Sequence, residues 1–292
     1  MKPAAFDYAR PASLDEACAM LAAAGDDVRL IAGGQTLVPL MAMRLARPRR
    51  LIDIARIPEL AFVRREGDVV AIGATTRQCV LECDPIVRAD VPLLAKVMPF
   101  VGHAPTRARG TIGGSLANAD PAAEIALVAV ALGATLVYRE GAAVAEIPAE
   151  KFFVGPMMTA LPPAGCLISV RFPVWRDARV GTGFHEVSAR KSDFAFAAAA
   201  AQVAIDDTGI CRRVALGIGA VTPCPLRLDT TALEGTRLEP ARVRDVVSTA
   251  LQDIEPLDDL HASADYRRRV AVSLAVRAIT DASTSAGSAH AR

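Results

Sequence analysis

The chain has 292 residues, a formal net charge of +1 at pH 7 and 52% apolar residues, few of them aromatic. A balanced charge gives no electrostatic reason to expect nucleic acid or a membrane surface as a partner. The sequence has no apolar run of roughly 18 residues and no charged-then-apolar N-terminal signal, so we expect no membrane span and a cytoplasmic location.

The first part of the chain predicts alternating helices and strands. Ser13 and Glu16 have the spacing of a capping box, which predicts a helix that ends at Gly25. Pro48 prevents a second helix from continuing. The predicted elements are a helix over 13–24, a strand over 28–32, a helix over 35–46 and a strand over 50–54.

The middle of the chain continues this mixture. Pro92 predicts a break within a long helical stretch, and Pro121 suits the first turn of a strongly apolar helix. The predicted strands are 69–73, 134–139 and 167–172, and the predicted helices are 76–83, 85–101 and 121–132.

After Pro173 the pattern predicts three β segments and then two helices. The alanines at 197–201 favour a helix by propensity, but their flanks favour a strand. The β segments are 180–189, 194–205 and 212–220, and the helices are 240–254 and 264–282. We therefore expect an N-terminal lobe (1–55), a middle lobe (56–176), a C-terminal domain (177–282) and a frayed tail (283–292).

Two glycine pairs precede predicted helices. The first glycine segment, residues 32–36, contains Gly33 and Gly34, and the second glycine segment, residues 111–115, contains Gly113 and Gly114. Glycine leaves backbone N–H groups accessible, and consecutive free N–H groups form a concave site for an anion. For either pair alone, a simple turn is the favoured explanation. Together, the two segments could hold a pyrophosphate from both sides.

Polar side chains follow the second glycine segment. Asn118 and Asp120 can cap the next helix, and capping alone explains Asp120. Glu124 lies one turn inside that predicted helix, where it could face the ribose or ring of a ligand. A solvated helix face is the alternative for both acids.

The sequence gives no sign of acid–base, nucleophilic or metal catalysis. The 4 histidines are scattered, and no Ser-His-Asp or Cys-His arrangement is evident. The 6 cysteines lack the spacing of a zinc or iron–sulfur site. We therefore expect neither a catalytic side chain nor a metal ligand in this chain.

Five stretches of the chain resemble a known family. They are similar to the FAD-binding medium subunits of the molybdenum hydroxylases, the xanthine dehydrogenase and aerobic carbon monoxide dehydrogenase family, and the resemblance covers essentially the whole chain. The stretches are Leu-Ile-Ala-Gly-Gly-Gln-Thr-Leu at 30–37, Arg-Gly-Thr-Ile-Gly-Gly-Ser-Leu at 109–116, Asn-Ala-Asp-Pro-Ala-Ala-Glu at 118–124, Phe-His-Glu-Val at 184–187 and Arg-Lys-Ser-Asp-Phe-Ala at 190–195.

This resemblance implies an α+β fold and a set of FAD contacts. The fold is the vanillyl-alcohol-oxidase (PCMH)-type FAD-binding fold of two α/β lobes, with a small C-terminal domain of a three-stranded antiparallel sheet and helices. The two glycine segments would wrap the diphosphate. His185 stands where related xanthine dehydrogenases have lysine, so a surface role is the alternative for it. The implied contacts are Leu30, Ile31, Ala32, Gly33, Gly34, Gln35, Thr36, Leu37, Val101, Thr111, Ile112, Gly113, Gly114, Ser115, Asn118, Asp120, Glu124, Leu167 and His185.

The resemblance also implies electron transfer within a complex. A large molybdopterin subunit would oxidise the substrate, a small iron–sulfur subunit would relay electrons, and FAD on this chain would deliver them to an external acceptor. We expect a dimer of such heterotrimers. The alternative is a self-sufficient FAD-dependent oxidase of the same fold acting on a small organic substrate. A nicotinamide enzyme is disfavoured, because no G-x-G-x-x-G lies between a strand and a helix.

Overall fold

The computed structural model describes residues 2–23, 25 and 27–288. Their elements form three main sheets, one in each successive part of the chain. Within these residues, none of the helices combines the length and the apolar character that crossing a membrane requires.

The N-terminal part forms a three-stranded parallel sheet in the order β1–β3–β2. Its elements are β1 (Asp7–Ala9), α1 (Leu14–Ala22), β2 (Val28–Ile31), α2 (Leu37–Ala42) and β3 (Arg50–Asp53). The Ser13 side chain caps α1 by accepting from the backbone N–H of Glu16. The Glu16 carboxylate accepts from the N–H of Ala12 at 2.6 Å, so the predicted capping box reaches one residue further back.

The middle part is built on a five-stranded antiparallel sheet in the order β4–β5–β10–β6–β7. Its strands are β4 (Val63–Glu66), β5 (Val69–Gly73), β6 (Thr135–Glu140), β7 (Ala143–Pro148) and β10 (Gly165–Pro173), and β8 (Phe153–Gly155) and β9 (Met158–Thr159) form a short hairpin. Its helices are α3 (Gln78–Cys83), α4 (Pro85–Asp90), α5 (Pro92–Val97), α6 (Ala104–Arg109), α7 (Ile112–Asn118), α8 (Glu124–Ala131) and α9 (Ala149–Phe152).

The C-terminal part forms a four-stranded antiparallel sheet in the order β11–β12–β13–β14. Its elements are β11 (Val180–Ser188), β12 (Ala195–Ile205), β13 (Cys211–Gly219), β14 (Leu226–Arg227), α10 (Pro240–Ala250) and α11 (Ala264–Ser288). Helix α8 packs against β13, since a Cβ built on Gly217 would lie 2.8 Å from side-chain atoms of Leu127 and Ala131. Every residue of α8 after Glu124 is buried, as expected of a helix that is apolar on all sides.

Small residues allow α11 to pack very close to the C-terminal sheet. A Cβ built on Gly181 would lie 2.1 Å from the carbonyl oxygen of Ala282, and one built on Gly183 would lie 2.0 Å from that of Ala278. Because side chains alternate along a strand, the odd-numbered alanines of 197–201 join the core beneath α11, and the even-numbered ones join the core of the middle part. The alanine run is a strand because both its faces are covered at short range.

The structure confirms several expectations from the sequence and corrects others. The strand through 197–201, the strand 69–73 and the break at Pro92 are confirmed. The frayed tail is wrong for 283–288, because α11 continues through Ser288; residues 289–292 lie outside the described residues. The C-terminal sheet has a fourth strand, β14, and edge strands β4 and β7 carry charged or exposed residues that gave no strand pattern.

Replacing Gly183 by alanine should lower the free energy of unfolding by about 2–3 kcal/mol, because the new Cβ would overlap the Ala278 carbonyl. Gly287→Ala is the matched control, since Gly287 lies on α11 with open space at its Cβ position. That control should keep or raise the melting temperature, because alanine favours a helix. Thermal unfolding followed by circular dichroism measures both, and a Gly183→Ala variant as stable as the wild type would contradict the close packing.

Candidate functional site

The two glycine segments touch each other. The first lies between β2 and α2, and the second begins just after α6. A Cβ built on Gly33 would lie 2.5 Å from the carbonyl oxygen of Arg109 and 2.8 Å from Cα of Gly110. Only glycine permits this approach, so the N-terminal and middle parts meet at the point where the two predicted phosphate-binding segments come together.

The first glycine segment has free backbone donors. Within the part of the chain that the structure describes, the N–H groups of residues 33–37 donate to no protein acceptor. These residues are partly exposed, and Gly34 has a left-handed φ of +69°. The Gln35 side chain donates to the Gly33 carbonyl at 3.0 Å and steadies the turn. A row of accessible amides of this kind suits an anion.

The second glycine segment differs from the sequence expectation of free amides. It forms the start of α7, and the N–H groups of residues 112–115 already have partners. Ile112 donates to the Thr76 carbonyl at 3.1 Å, Gly113 to the Ala74 carbonyl at 2.9 Å, and Gly114 to the Thr111 hydroxyl at 3.0 Å. Gly113 is required by packing, since its Cβ would lie 2.5 Å from that of Ala74. The segment therefore offers an exposed backbone surface at Gly114 and the Ser115 side chain, and no row of donors.

The expected caps of the helix after Pro121 are also corrected. Asn118 is the last residue of α7, and its side-chain amide faces the Met157 sulfur at 3.7 Å. Asp120 accepts from the N–H of Ala122 at 2.9 Å, which forms a turn before the helix. Helix α8 begins at Glu124 with Ala123 at its N-cap and no side-chain cap, so the helix starts three residues later than predicted.

Three carboxyl groups come together beside α8. Burial, with a contribution from the charge of Asp120, raises the pKa of Glu124 to about 7. Burial and the charge of Glu124 raise the pKa of Glu186, on β11, to about 7. Burial also raises the pKa of Asp120. Glu186 Oε2 is buried and has no hydrogen-bond partner among the described residues. Glu124 and Glu186 can thus each hold a proton near neutral pH.

The remaining predicted residues divide between two sides of the C-terminal sheet. Val101 and Leu167 are buried in the core of the middle part, which also contains Phe184. His185 points the other way, toward α11, and its Nε2 lies 2.8 Å from Asp281 Oδ2. Since adjacent strand residues face opposite sides, the structure brings Glu186 to Glu124 and does not bring His185 there.

Sequence reasoning missed several residues that shape this region. Arg107 Nε donates to Glu82 Oε2 at 3.1 Å, and its Nη1 donates to the Gly102 carbonyl at 2.9 Å, which fixes the turn after Val101. Arg77 donates to the Arg109 carbonyl, and Gln78 packs against Gly110. The alternation of side chains along β11 could have placed Glu186 on the face that meets the middle part. No local sequence pattern identifies Arg77 or Gln78 as residues that shape the site.

Comparison with family descriptions matches nearly the whole chain. Residues 4–175 match the family described as the FAD binding domain in molybdopterin dehydrogenase. Residues 182–282 match the CO dehydrogenase flavoprotein C-terminal domain.

Curated relatives and solved structures agree with this match. The caffeine dehydrogenase subunit beta of Pseudomonas sp. (strain CBB1) is 37% identical, over 97% of this chain and 96% of that protein. The carbon monoxide dehydrogenase medium chain of Hydrogenophaga pseudoflava is 34% identical, over 97% and 98%. A solved carbon monoxide dehydrogenase from H. pseudoflava, which lacks the Mo-pyranopterin moiety of its molybdenum cofactor, superposes with a TM-score of 0.92 at 34% identity, over 97% and 98% of the two chains.

Replacing Glu186 by glutamine should stabilise the protein at alkaline pH only. The folded-state pKa lies above the ordinary value of 4.5, so stability falls as pH rises from about 4.5 to about 7 and is then constant. Glutamine resembles the protonated acid, and we expect a gain of about 1 kcal/mol at pH 8, limited by partial solvent exposure. Melting temperatures at pH 5 and pH 8 measure this; a gain of the same size at both would contradict the raised pKa.

Proposed function

Because this chain belongs to the family of FAD-binding medium subunits of the molybdenum hydroxylases, and is an oxidoreductase subunit that binds FAD, we propose that it passes electrons from iron–sulfur clusters of a partner subunit through FAD to an external acceptor. The observation that carries the proposal is the row of unbonded amides at residues 33–37, which lies where the first glycine segment packs on Arg109 and Gly110.

The two glycine segments would contribute unequally to binding of the FAD diphosphate. The backbone amides of residues 33–37 would donate to the diphosphate oxygens. The side chains of Gln35 and Thr36, which belong to the same segment, would add further donors. The second glycine segment would act as the opposite wall, through the exposed backbone of Gly114 and the hydroxyl of Ser115. Since the amides of residues 112–115 are bonded within the protein, most of the phosphate binding would fall to the first segment.

The rest of the nucleotide would meet apolar and acidic groups. Val101 and Leu167, which are buried in the core of the middle part, would supply apolar contact. Glu124 and Asp120 would accept hydrogen bonds from hydroxyl groups, and the raised pKa of Glu124, about 7, lets its carboxyl also donate near neutral pH. His185, which bonds to Asp281 on the other side of the sheet, has the weakest case as a contact.

FAD supplies the redox chemistry when bound, since a flavin can exchange one or two electrons. The chain binds it, orients it and keeps water from part of it. Electron transfer needs no nucleophile or general base on this chain. A site built from backbone amides, apolar side chains and a few carboxyl groups is therefore sufficient for this chemistry.

The proposed partners are a small iron–sulfur subunit and a large molybdopterin subunit, in a dimer of heterotrimers. Relatives support partnership in general terms, because they are named as a subunit beta and a medium chain of dehydrogenases, and the solved carbon monoxide dehydrogenase is described with a molybdenum cofactor. The chain spans nearly the full length of these relatives, which are themselves single chains of larger enzymes.

Purification of the tagged chain from its native host tests the proposed function. We expect about one FAD per chain, together with molybdenum, iron and acid-labile sulfide carried by two co-purifying chains. The purified chain alone should take up FAD and oxidise no small substrate. A metal-free chain that turns over an organic substrate by itself would instead establish the self-sufficient oxidase.

Replacing Gly34 by alanine should weaken FAD binding about tenfold, because a left-handed residue with a Cβ is strained and would shift the neighbouring amides. Gly235→Ala is the matched control, since Gly235 has φ of +76° and open space at its Cβ position. Both should lose about 1–2 kcal/mol of stability. FAD fluorescence titration separates them: equal FAD affinity of the two variants would contradict the role of the first glycine segment.

A further inference from the structure

We propose that Gln78 is a positioning residue of the FAD site, which sets the separation of the two glycine segments through the backbone of Gly110. The inference rests on the proposed function, since it assumes that the segments hold the FAD diphosphate. Gln78 opens α3 and matches none of the sequence motifs described above. It acts on the site from behind and does not itself touch the nucleotide.

The first step is the contact between Gln78 and Gly110. A Cβ built on Gly110 would lie 2.4 Å from Oε1 and 2.8 Å from Cδ of Gln78, so the amide of Gln78 fills the space where residue 110 would have a side chain. The backbone N–H of Gln78 also donates to the Gly110 carbonyl at 3.0 Å. Gln78 thus holds the Gly110 peptide with its backbone and its side chain together.

The second step joins Gly110 to the first glycine segment. Gly33 lies against the same peptide, with its Cβ position 2.5 Å from the Arg109 carbonyl oxygen and 2.8 Å from Cα of Gly110. The Arg77 guanidinium donates to that carbonyl and fixes its direction. Gln78, the 109–110 peptide and Gly33 therefore form three layers with no side chain between them. A displacement of Gln78 would therefore be passed through the 109–110 peptide to Gly33.

The Gln78 amide is tightly enclosed at this position. The residue is only 5% exposed, yet no donor to Oε1 is found in the part of the chain that the structure describes. Burial of an unpaired carbonyl oxygen is unfavourable, and such groups are rare in folded proteins. Here the oxygen lies 2.4 Å from the ideal Cβ position of Gly110, a short contact that is possible only because residue 110 has no side chain. In a Gln78→Met variant, the terminal methyl group would need more room than the amide oxygen does. In a Gln78→Ala variant, the shorter side chain would leave a gap beside Gly110.

The test compares Gln78→Met and Gln78→Ala with the matched control Gln202→Met in the full-length chain. Gln202, on β12, is 1% exposed and also has an unpaired Oε1, but it pairs with Thr182 and Ala215 in the C-terminal sheet. FAD affinity, melting temperature and the ³¹P NMR shifts of the bound diphosphate are measured. We expect both Gln78 variants to bind FAD about tenfold more weakly with altered ³¹P shifts. The Gln202 variant should change only the melting temperature.

The outcomes separate the two proposals. If the wild-type chain binds no FAD, the proposed function fails. If the wild type binds FAD and both Gln78 variants keep its affinity and ³¹P shifts, the positioning role is overturned and the proposed function stands. A Gln78 variant that loses stability as the Gln202 variant does, with unchanged ³¹P shifts, also overturns the positioning role. Should Gln78→Met fail to fold, Gln78→Ala, which adds no bulk, supplies the same comparison.

Discussion

The site depends on one close approach, between Gly33 and the peptide that joins Arg109 to Gly110. The distance of 2.5 Å from the Gly33 Cβ position to the Arg109 carbonyl leaves no space for any side chain. This contact ties the N-terminal part to the middle part and exposes the unbonded amides of residues 33–37 at their junction. In the proposed binding mode, phosphate would be held by backbone geometry, which would allow a nearly neutral protein to hold a dianionic group.

The same use of small residues organises the C-terminal part. Gly181 and Gly183 let α11 lie directly on β11, while the opposite face of that strand turns Phe184 and Glu186 toward the middle part. Phe184 meets Phe100 edge to face with ring centroids 4.8 Å apart. The C-terminal sheet thereby contributes an acidic group beside Glu124, and the candidate site draws residues from all three parts of the chain.

Sequence patterns predicted the elements well where the signal was local. The break at Pro92 and the turn before α2 follow from fixed dihedral preferences. The strand of five alanines was predicted from its flanks and from the family resemblance, against the helix propensity of alanine. The same patterns predicted free amides in the second glycine segment. The amides of Ile112 and Gly113 instead donate to the carbonyls of Thr76 and Ala74, which lie more than 30 residues earlier in the chain. Contacts across such separations, like that of Gln78 with Gly110, leave no periodic trace in one sequence. The resemblance to a family supplied the cofactor and the partners.

A structure of the chain with FAD bound tests the central claim most directly. We expect the diphosphate to lie against the first glycine segment, with its oxygens within hydrogen-bonding distance, about 2.7–3.2 Å, of backbone N–H groups of residues 33–37. The Gly33 contact with Arg109 and Gly110 should persist. A diphosphate bound elsewhere, with those amides facing solvent or other protein atoms, would contradict the account.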